Sequence, residues 1–188
     1  MRLGVLVSGR GSNLEAVLDA GFEVGLVVSN RPAVRALEVA ARHGVPRLIL
    51  RRSEFADPGA RDAAIGRAFT EAGAQLALLA GYDQLLRPSY FAAFSGRTIN
   101  IHPSLLPAHG GAGMVGPAVH RSVLDAGDPE SGVTIHVVTA DLDAGPILAQ
   151  ARVPVLSGDD AETLEARVLV EEHRLLVETL ARIVSEGA

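Results

Sequence analysis

Short aliphatic runs alternate with segments of helical periodicity along the first half of the chain. Five β-branched or aliphatic runs predict strands over Leu3–Val7, Val24–Val28, Arg47–Leu50, Leu76–Ala80 and Thr98–Ile101, and several of them are apolar on both faces, as expected of buried parallel strands. The apolar spacing between them predicts helices over Ser12–Ala20, Ala33–His43 and Ala60–Ala72, each followed by a glycine stop at Gly21, Gly44 or Gly73. This alternation is typical of βαβ units, in which helices cover a parallel sheet.

The second half of the chain does not continue the alternation of single strands and helices. Two strands are predicted over Gly132–Val138 and Ile147–Val155, and their connection is too short for a helical crossover, so we expect an antiparallel pair. A long amphipathic helix is predicted from Asp159 to Val184, and the glycine-rich segment His109–Pro117 is predicted as a mobile loop. We therefore predict one Rossmann-like α/β domain over residues 1–188, with a mostly parallel, twisted sheet of about seven strands, helices on both faces and a late antiparallel strand.

The amino-acid composition argues against several classes of function. The chain has 188 residues and no cysteine, which excludes disulfides, thiolate metal sites and a cysteine nucleophile. A net charge of -5 and only 4% aromatic residues argue against nucleic-acid binding. The histidines show no convergent ligand spacing, so we expect no metal. The apolar windows are too short for a membrane span and no basic leader is recognisable, so we expect a cytoplasmic protein with no membrane partner.

The segment after the first predicted strand carries a candidate anion site. Ser8-Gly9-Arg10-Gly11-Ser12-Asn13 precedes a helix, whose N-terminal N–H groups attract anions. Leu14 stands where a dinucleotide fingerprint would have its third glycine, and no P-loop lysine follows, so the segment favours a small phosphate monoester. The alternative is a plain strand-to-helix turn capped by Ser12 or Asn13.

A second constellation ends the fifth predicted strand. Asn100 and His102 alternate along it and therefore face the same side, at the edge where open α/β sheets bind ligands. Asp143 lies in the later turn Asp141–Pro146, where aspartate is common because it bonds its own backbone. If the fold brings Asp143 to His102, its charge favours the imidazolium.

The motifs together resemble the folate-dependent formyltransferases along essentially the whole chain. The resemblance rests on four blocks, Ser8–Leu14, Leu79–Tyr82, Asn100–Pro107 and Asp141–Pro146, and the first block points to the members that act on glycinamide ribonucleotide. It implies transfer of the formyl group of 10-formyltetrahydrofolate to that amine in purine synthesis. It also implies that His102 and Asn100 stabilise the oxyanion and that Asp143 orients His102 and favours its charge.

The resemblance also assigns binding residues. It implies that the nucleotide is held by Gly11, Ser12, Asn13 and Glu172. It implies that the folate is held by Arg61, Asp83, Gln84, Leu85, Leu86, Asn100, Ala140 and Asp141. The spacing around Arg61 is shifted from the common pattern, and Asp83-Gln84 replaces a frequent Met-Arg. Each of these residues also has an interpretation without a binding role. Glu172 could lie on a solvated helix face and Arg61 on a helix surface, and Leu85 and Leu86 could belong to the core.

Other functions remain open at this point. A formyltetrahydrofolate hydrolase and a methionyl-tRNA formyltransferase share the Asn-x-His core, but the first is expected to carry an extra N-terminal domain and the second a basic C-terminal domain. A non-catalytic protein that binds nucleotide phosphate through Gly9–Asn13 is the alternative of a different class, and it does not require Asn100, His102 and Asp143 together. The oligomeric state, monomer or homodimer, does not follow from the sequence.

Overall fold

The computed structural model describes residues 1–187, and the chain divides into two compact units between Ile99 and Asn100. The first unit, Met1–Ile99, contains the strands β1 (Leu3–Val7), β2 (Val24–Ser29), β3 (Arg47–Ile49), β4 (Leu76–Leu79) and the beginning of β5 (Arg97–His102). Its helices are α1 (Ser12–Asp19), α2 (Arg35–Arg42), α3 (Pro58–Glu71) and α4 (Pro88–Ala93), with a short 3-10 helix at Arg52–Glu54.

The sheet of the first unit has the strand order β3-β2-β1-β4-β5. Strand β1 pairs in parallel with β2 and β4, so that Val5 lies opposite Val27 on one side and Leu78 on the other. Every residue of β1 and β4 is buried, as is typical of the central strands of a parallel sheet. The continuous aliphatic runs in the sequence are the direct consequence of this burial.

The second unit begins at Asn100, in the last residues of β5. It contains α5 (Pro117–Ala126), β6 (Glu130–Val137), β7 (Ile147–Pro154) and α6 (Ala161–Glu186), and β6 lies between β5 and β7. Strands β6 and β7 are antiparallel, with Val133 opposite Ala151. Helix α6 packs on both strands, and its side chains Leu164, Val168, Leu176 and Leu180 are completely buried.

The predicted α/β class, the seven strands and the late antiparallel pair are confirmed. The predicted glycine stops are also confirmed, because Gly21, Gly44 and Gly73 all have left-handed φ angles just beyond their helices. The division into one domain stays a prediction. Within residues 1–187, no helix is both long and apolar enough to cross a bilayer.

Two helices were not predicted from the sequence. Helix α4 has only six residues, and α5 follows directly after the glycine-rich segment that was predicted as a loop. Both begin at a proline, Pro88 and Pro117, in the first turn, where the missing N–H does no harm. A proline after a polar or glycine residue was therefore a start signal that the apolar spacing alone did not reveal.

Candidate active site

Strand β5 ends in the polar residues of the candidate site. Asn100 is partly buried and His102 is 5% exposed, and the alternation of the strand turns them to the same face. On the neighbouring strand β6, His136 places its Nε2 atom 3.1 Å from Nδ2 of Asn100. Asn100 and His102 at the end of β5 and His136 near the end of β6 thus form one group of polar side chains.

Asp143 reaches this surface from the turn between β6 and β7. Its Oδ2 lies 4.0 Å from Nδ1 of His102, and its Oδ1 lies 3.6 Å from Nε2 of His136. Asp143 has a φ of 52°, a left-handed conformation that aspartate tolerates better than most residues. Gly145 lets the turn close tightly, because a Cβ there would lie 1.8 Å from the carbonyl oxygen of Val137. One carboxylate therefore stands between two imidazoles.

The hydrogen bonds of His136 define its state. Its Nδ1 lies 3.0 Å from the carbonyl oxygen of Val137, which only accepts, so Nδ1 carries a proton. Burial lowers the pKa of His136 and outweighs both this bond and the charge of Asp143, which raise it; the nearby His102 also lowers it. His136 is therefore neutral near pH 7, and its Nε2 accepts a hydrogen from the amide of Asn100.

The glycine-rich segment lies against the same side chains. His102 donates from Nε2 to the carbonyl oxygen of His109 at 2.9 Å, and the N–H of Gly111 donates to Oδ2 of Asp143 at 2.8 Å. The side chain of His109 is anchored on the far side, 2.8 Å from Oγ of Ser122 and 2.7 Å from Oδ2 of Asp128. The segment thus contacts both proposed catalytic groups through its backbone.

The chain between His102 and this segment is held to β6 by a buried hydroxyl. Thr134 donates to the carbonyl oxygen of Ser104 at 2.7 Å and accepts from the N–H of Leu106 at 3.0 Å. Gln150 on β7 adds a bond to the carbonyl oxygen of Leu106 at 2.9 Å. These contacts keep the end of β5 in register with β6, where a shift would separate Asn100 from His136.

The other predicted site residues of the second unit differ in exposure. Glu172 lies on α6 and is 9% exposed, which does not agree with a plain solvated helix face. Ala140 and Asp141 are exposed in the turn that carries Asp143.

In the first unit, Gly11 makes the turn from β1 into α1. It has a φ of 79°, and a Cβ at this position would lie 2.6 Å from the Cα of Ala36 on α2. Only glycine fits this close approach. Ser12 opens the helix and is partly exposed, while Asn13 is 8% exposed. The first-turn N–H groups of α1 therefore follow directly on the glycine turn, as an anion site requires.

Asp83 is the centre of a polar cluster at the ends of β1, β2 and β4. Its Oδ1 accepts from Nδ2 of Asn30 at 2.7 Å and from Nε2 of Gln84 at 3.2 Å, and lies 3.0 Å from Oγ of Ser8. Arg31 forms an ion pair with its other oxygen. Burial raises the pKa of Asp83, but the three hydrogen bonds and the charge of Arg31 together bring it below its usual value. Asp83 is therefore ionised at neutral pH.

The remaining predicted folate residues divide between surface and core. Leu85 is 43% exposed, whereas Leu86 is 1% exposed and belongs to the core. Arg61 is also 1% exposed, and its Nη2 lies 2.8 Å from Oδ1 of the fully buried Asp62. The contact of Arg61 with folate stays a prediction, and the burial of its guanidinium weighs against it.

Three of the predicted residues meet within the second unit: Asn100, His102 and Asp143. Sequence reasoning considered His136 only as a metal ligand and therefore missed its place among them. The signal was present in β6, where Thr134 and His136 are polar residues at alternate positions, next to the apolar Val133 and Ile135. Within residues 1–187 no group of three or more ligating side chains is arranged to hold a metal ion.

The sequence is similar to proteins of known function. The profile of the formyl transferase family matches residues 1–180. The chain is 42% identical over 192 residues to phosphoribosylglycinamide formyltransferase of Mycobacterium tuberculosis (strain ATCC 25618 / H37Rv), covering 99% of this chain and 86% of that protein. It is 38% identical to the trifunctional purine biosynthetic protein adenosine-3 of Drosophila pseudoobscura pseudoobscura, of which it spans 14% of the length.

Solved structures with a similar fold have names of the same kind as these sequence relatives. The crystal structure of glycinamide ribonucleotide transformylase 1 from Symbiobacterium toebii superimposes with a TM-score of 0.92 at 42% identity, covering 100% of this chain and 88% of that one. Phosphoribosylglycinamide formyltransferase from Streptococcus pneumoniae TIGR4 gives a TM-score of 0.90 at 33% identity, over 97% of this chain and 98% of that one.

Proposed function

Because this chain belongs to the formyl transferase family, we propose that it transfers the formyl group of 10-formyltetrahydrofolate to the amine of glycinamide ribonucleotide. The product is formylglycinamide ribonucleotide, an intermediate of purine biosynthesis. The observation that carries the proposal is the contact of Asp143 with His102 beside Asn100, since a protein that only binds a phosphate has no need of these three together.

The proposed reaction is an acyl transfer through a tetrahedral intermediate. The substrate amine attacks the formyl carbon, a C–N bond forms, and the former carbonyl oxygen becomes an oxyanion. The bond from the carbon to N10 of the folate then breaks, and the proton lost by the amine is delivered to N10. The enzyme must stabilise the oxyanion and move that proton.

His102 is suited to both tasks in its charged form. Its Nε2 carries a proton, since it donates to the carbonyl oxygen of His109. Its Nδ1 faces the carboxylate of Asp143 at 4.0 Å, so an imidazolium at this position has an opposite charge beside it. In the proposed mechanism the imidazolium stabilises the oxyanion, Asn100 donates a second hydrogen bond to it, and Asp143 orients His102.

In this structure the Nε2 proton of His102 is already hydrogen-bonded to the carbonyl oxygen of His109. A formyl oxygen that takes this proton must replace the carbonyl as its acceptor. We therefore expect the glycine-rich segment to shift when the donor binds.

The two substrates are assigned to the residues that the resemblance implies. In the proposal, Gly11, Ser12 and Asn13 receive the phosphate of the ribonucleotide at the start of α1, and Glu172 contacts the same substrate. The folate takes Asp83, Gln84, Leu85, Leu86, Ala140 and Asp141 together with Asn100. Arg61 is left out of the proposed contacts, because its guanidinium is buried against Asp62.

The test is a formyl-transfer assay with purified protein and 10-formyltetrahydrofolate, with and without glycinamide ribonucleotide. We expect loss of the donor and formation of formylglycinamide ribonucleotide only when the acceptor is present. Donor loss without acceptor would favour the hydrolase, and no turnover with intact ribonucleotide binding would favour the binding protein. Either result would overturn the proposed function.

The matched variants are His102→Asn and His43→Asn. Loss of His102 removes an oxyanion donor, so kcat should fall on the order of 10²–10³-fold. His43 lies at the end of α2, with 30% of its side chain exposed, and its replacement should leave kcat unchanged. Normal turnover in the first variant would exclude the mechanism as stated.

The proposed function also carries expectations about localisation and partners. We expect a cytoplasmic enzyme whose partners are these two small molecules, and sedimentation of the purified protein distinguishes monomer from homodimer.

A further inference from the structure

His136 is buried in a position that the proposed reaction does not yet explain. Only 2% of the residue is exposed, and it lies on β6 beside the proposed oxyanion donor Asn100. The groups that face its ring are the carbonyl of Val137, the amide of Asn100 and the titratable groups Asp143 and His102.

The carbonyl of Val137 determines how Asn100 is oriented. It accepts the Nδ1 proton of His136, which leaves a lone pair on Nε2 of the neutral ring. The atom of Asn100 that meets this lone pair at 3.1 Å must be the donor Nδ2, because Oδ1 there would place two acceptors together. One of the two amide hydrogens is thus bound to His136, and the other is free to point away from it.

We propose that His136 is a positioning residue that holds one amide hydrogen of Asn100 and thereby directs the other to the oxyanion. This inference rests on the proposed function. Without the acceptor at Nε2, the amide of Asn100 can rotate and present its oxygen, which repels an oxyanion. A neutral His136 is therefore part of the donor arrangement.

The position of Asp143 supports the same role. Its Oδ1 lies 3.6 Å from Nε2 of His136, while its Oδ2 lies 4.0 Å from Nδ1 of His102. A protonated His136 would compete with His102 for this carboxylate. A neutral ring does not pair with Asp143, whose charge therefore acts on His102. The same neutral tautomer accepts the amide hydrogen of Asn100.

The first experiment is a double-mutant cycle on formyl transfer. His136→Phe removes the acceptor and fills the same buried space, and kcat should fall about 10- to 100-fold with both KM values nearly unchanged. His136→Gln keeps an oxygen that can accept from Asn100 and should recover part of kcat. In an Asn100→Ala background, His136→Phe should have little further effect, because the residue acts through Asn100.

A control variant separates positioning from loss of stability. Val133→Ala truncates a fully buried side chain on the opposite face of β6, and it should lower Tm without lowering kcat at 25 °C. A His136→Phe enzyme with normal kcat, or effects of His136→Phe and Asn100→Ala that simply add, would overturn the proposal.

The second experiment does not depend on activity. Two-bond ¹H–¹⁵N spectra of the wild-type protein identify histidine tautomers, and His136 is assigned by the signal lost in His136→Gln. We expect a neutral ring protonated at Nδ1 at pH 7, and a ring protonated at Nε2 would overturn the proposal. If the wild-type protein transfers no formyl group, the proposed function fails by itself, and the proposal for His136 fails with it.

Discussion

At the scale of single residues, Asp143 links the glycine-rich segment to two imidazoles. It accepts from the N–H of Gly111 and faces the imidazoles of both His102 and His136. Its charge therefore acts on the side chain that we propose as the oxyanion donor. The same carboxylate also holds the glycine-rich segment in place.

Replacing Asp143 by asparagine tests the charge with little change of shape. We expect kcat of Asp143→Asn to fall on the order of 10²-fold or more, because the charged form of His102 loses its partner. The measurement is kcat at saturating concentrations of both substrates. Asp125→Asn, on the exposed face of α5, is the control and should behave as wild type. A kcat within two-fold of wild type would exclude a role for the charge of Asp143.

His136 gives a second prediction at this scale, in the pH dependence of stability. Burial lowers the pKa of His136 in the folded protein below its unfolded value of 6.5. The unfolded state therefore binds the proton more readily. The contribution of the neutral ring is complete above about pH 6.5 and is lost as the pH falls through the folded-state pKa.

The measurement is the free energy of unfolding by urea between pH 8 and pH 5, for wild type and His136→Gln. We expect the wild-type protein to lose more stability over this range than the variant, since the variant lacks the titrating ring. Parallel pH profiles would show that burial of His136 does not penalise its charged form.

At the scale of elements, the glycine-rich segment His109–Pro117 is held by its backbone and by the side chain of its first residue. Its backbone contacts His102 and Asp143, and the side chain of His109 is anchored by Ser122 and Asp128. Glycines have no side chain that could pack in a core, and segments with few buried apolar contacts open locally at low cost. The order of this segment therefore depends on polar contacts, of which the two made by the His109 side chain can be removed without changing the backbone.

The variant His109→Ala removes both side-chain anchors but keeps the backbone carbonyl. We expect amide hydrogen exchange in residues 110–116 to rise about ten-fold or more, because local opening loses two hydrogen bonds. Hydrogen exchange measured by mass spectrometry checks this, with a peptide from β7 as the internal reference. Unchanged exchange in residues 110–116 would mean that the backbone contacts alone hold the segment.

At the scale of the whole molecule, an enzyme with a net charge of -5 is proposed to bind an anionic ribonucleotide. The overall charge opposes this binding, so local donors must supply the attraction. The start of α1 offers N–H groups and the positive end of a helix dipole at Ser12.

Thermal stability of the whole chain reports this binding by linkage. Glycinamide ribonucleotide at about 100 times its Kd should stabilise the wild-type protein by about 2.7 kcal/mol, seen as a higher Tm. In Ser12→Asp the added carboxylate repels the phosphate but suits a helix N-terminus, so the Tm without ligand should be kept and the ligand shift lost. If Ser12→Asp keeps the full ligand-induced rise in Tm, the phosphate does not bind at the start of α1.

Most of the fold could be predicted from the sequence because it depends on local patterns. The strand Leu3–Val7 was predicted with its observed bounds, and the antiparallel pairing of β6 and β7 followed from the length of their connection. Helices α4 and α5 were missed for different reasons: α4 has only six residues, too few for a period of 3.6 to show, whereas α5 begins at Pro117, the last residue of the segment predicted as a loop.

The sequence by itself determined which residue types could carry the chemistry and where the strands ended. Alternation along β5 was sufficient to put Asn100 and His102 on one face. Only the tertiary structure decided which distant groups meet them: Asp143 from the β6–β7 turn, His136 from β6 and the backbone of His109 and Gly111. The physical reason is that periodicity reports the face of one element, whereas contacts between elements depend on pairing register and turn geometry.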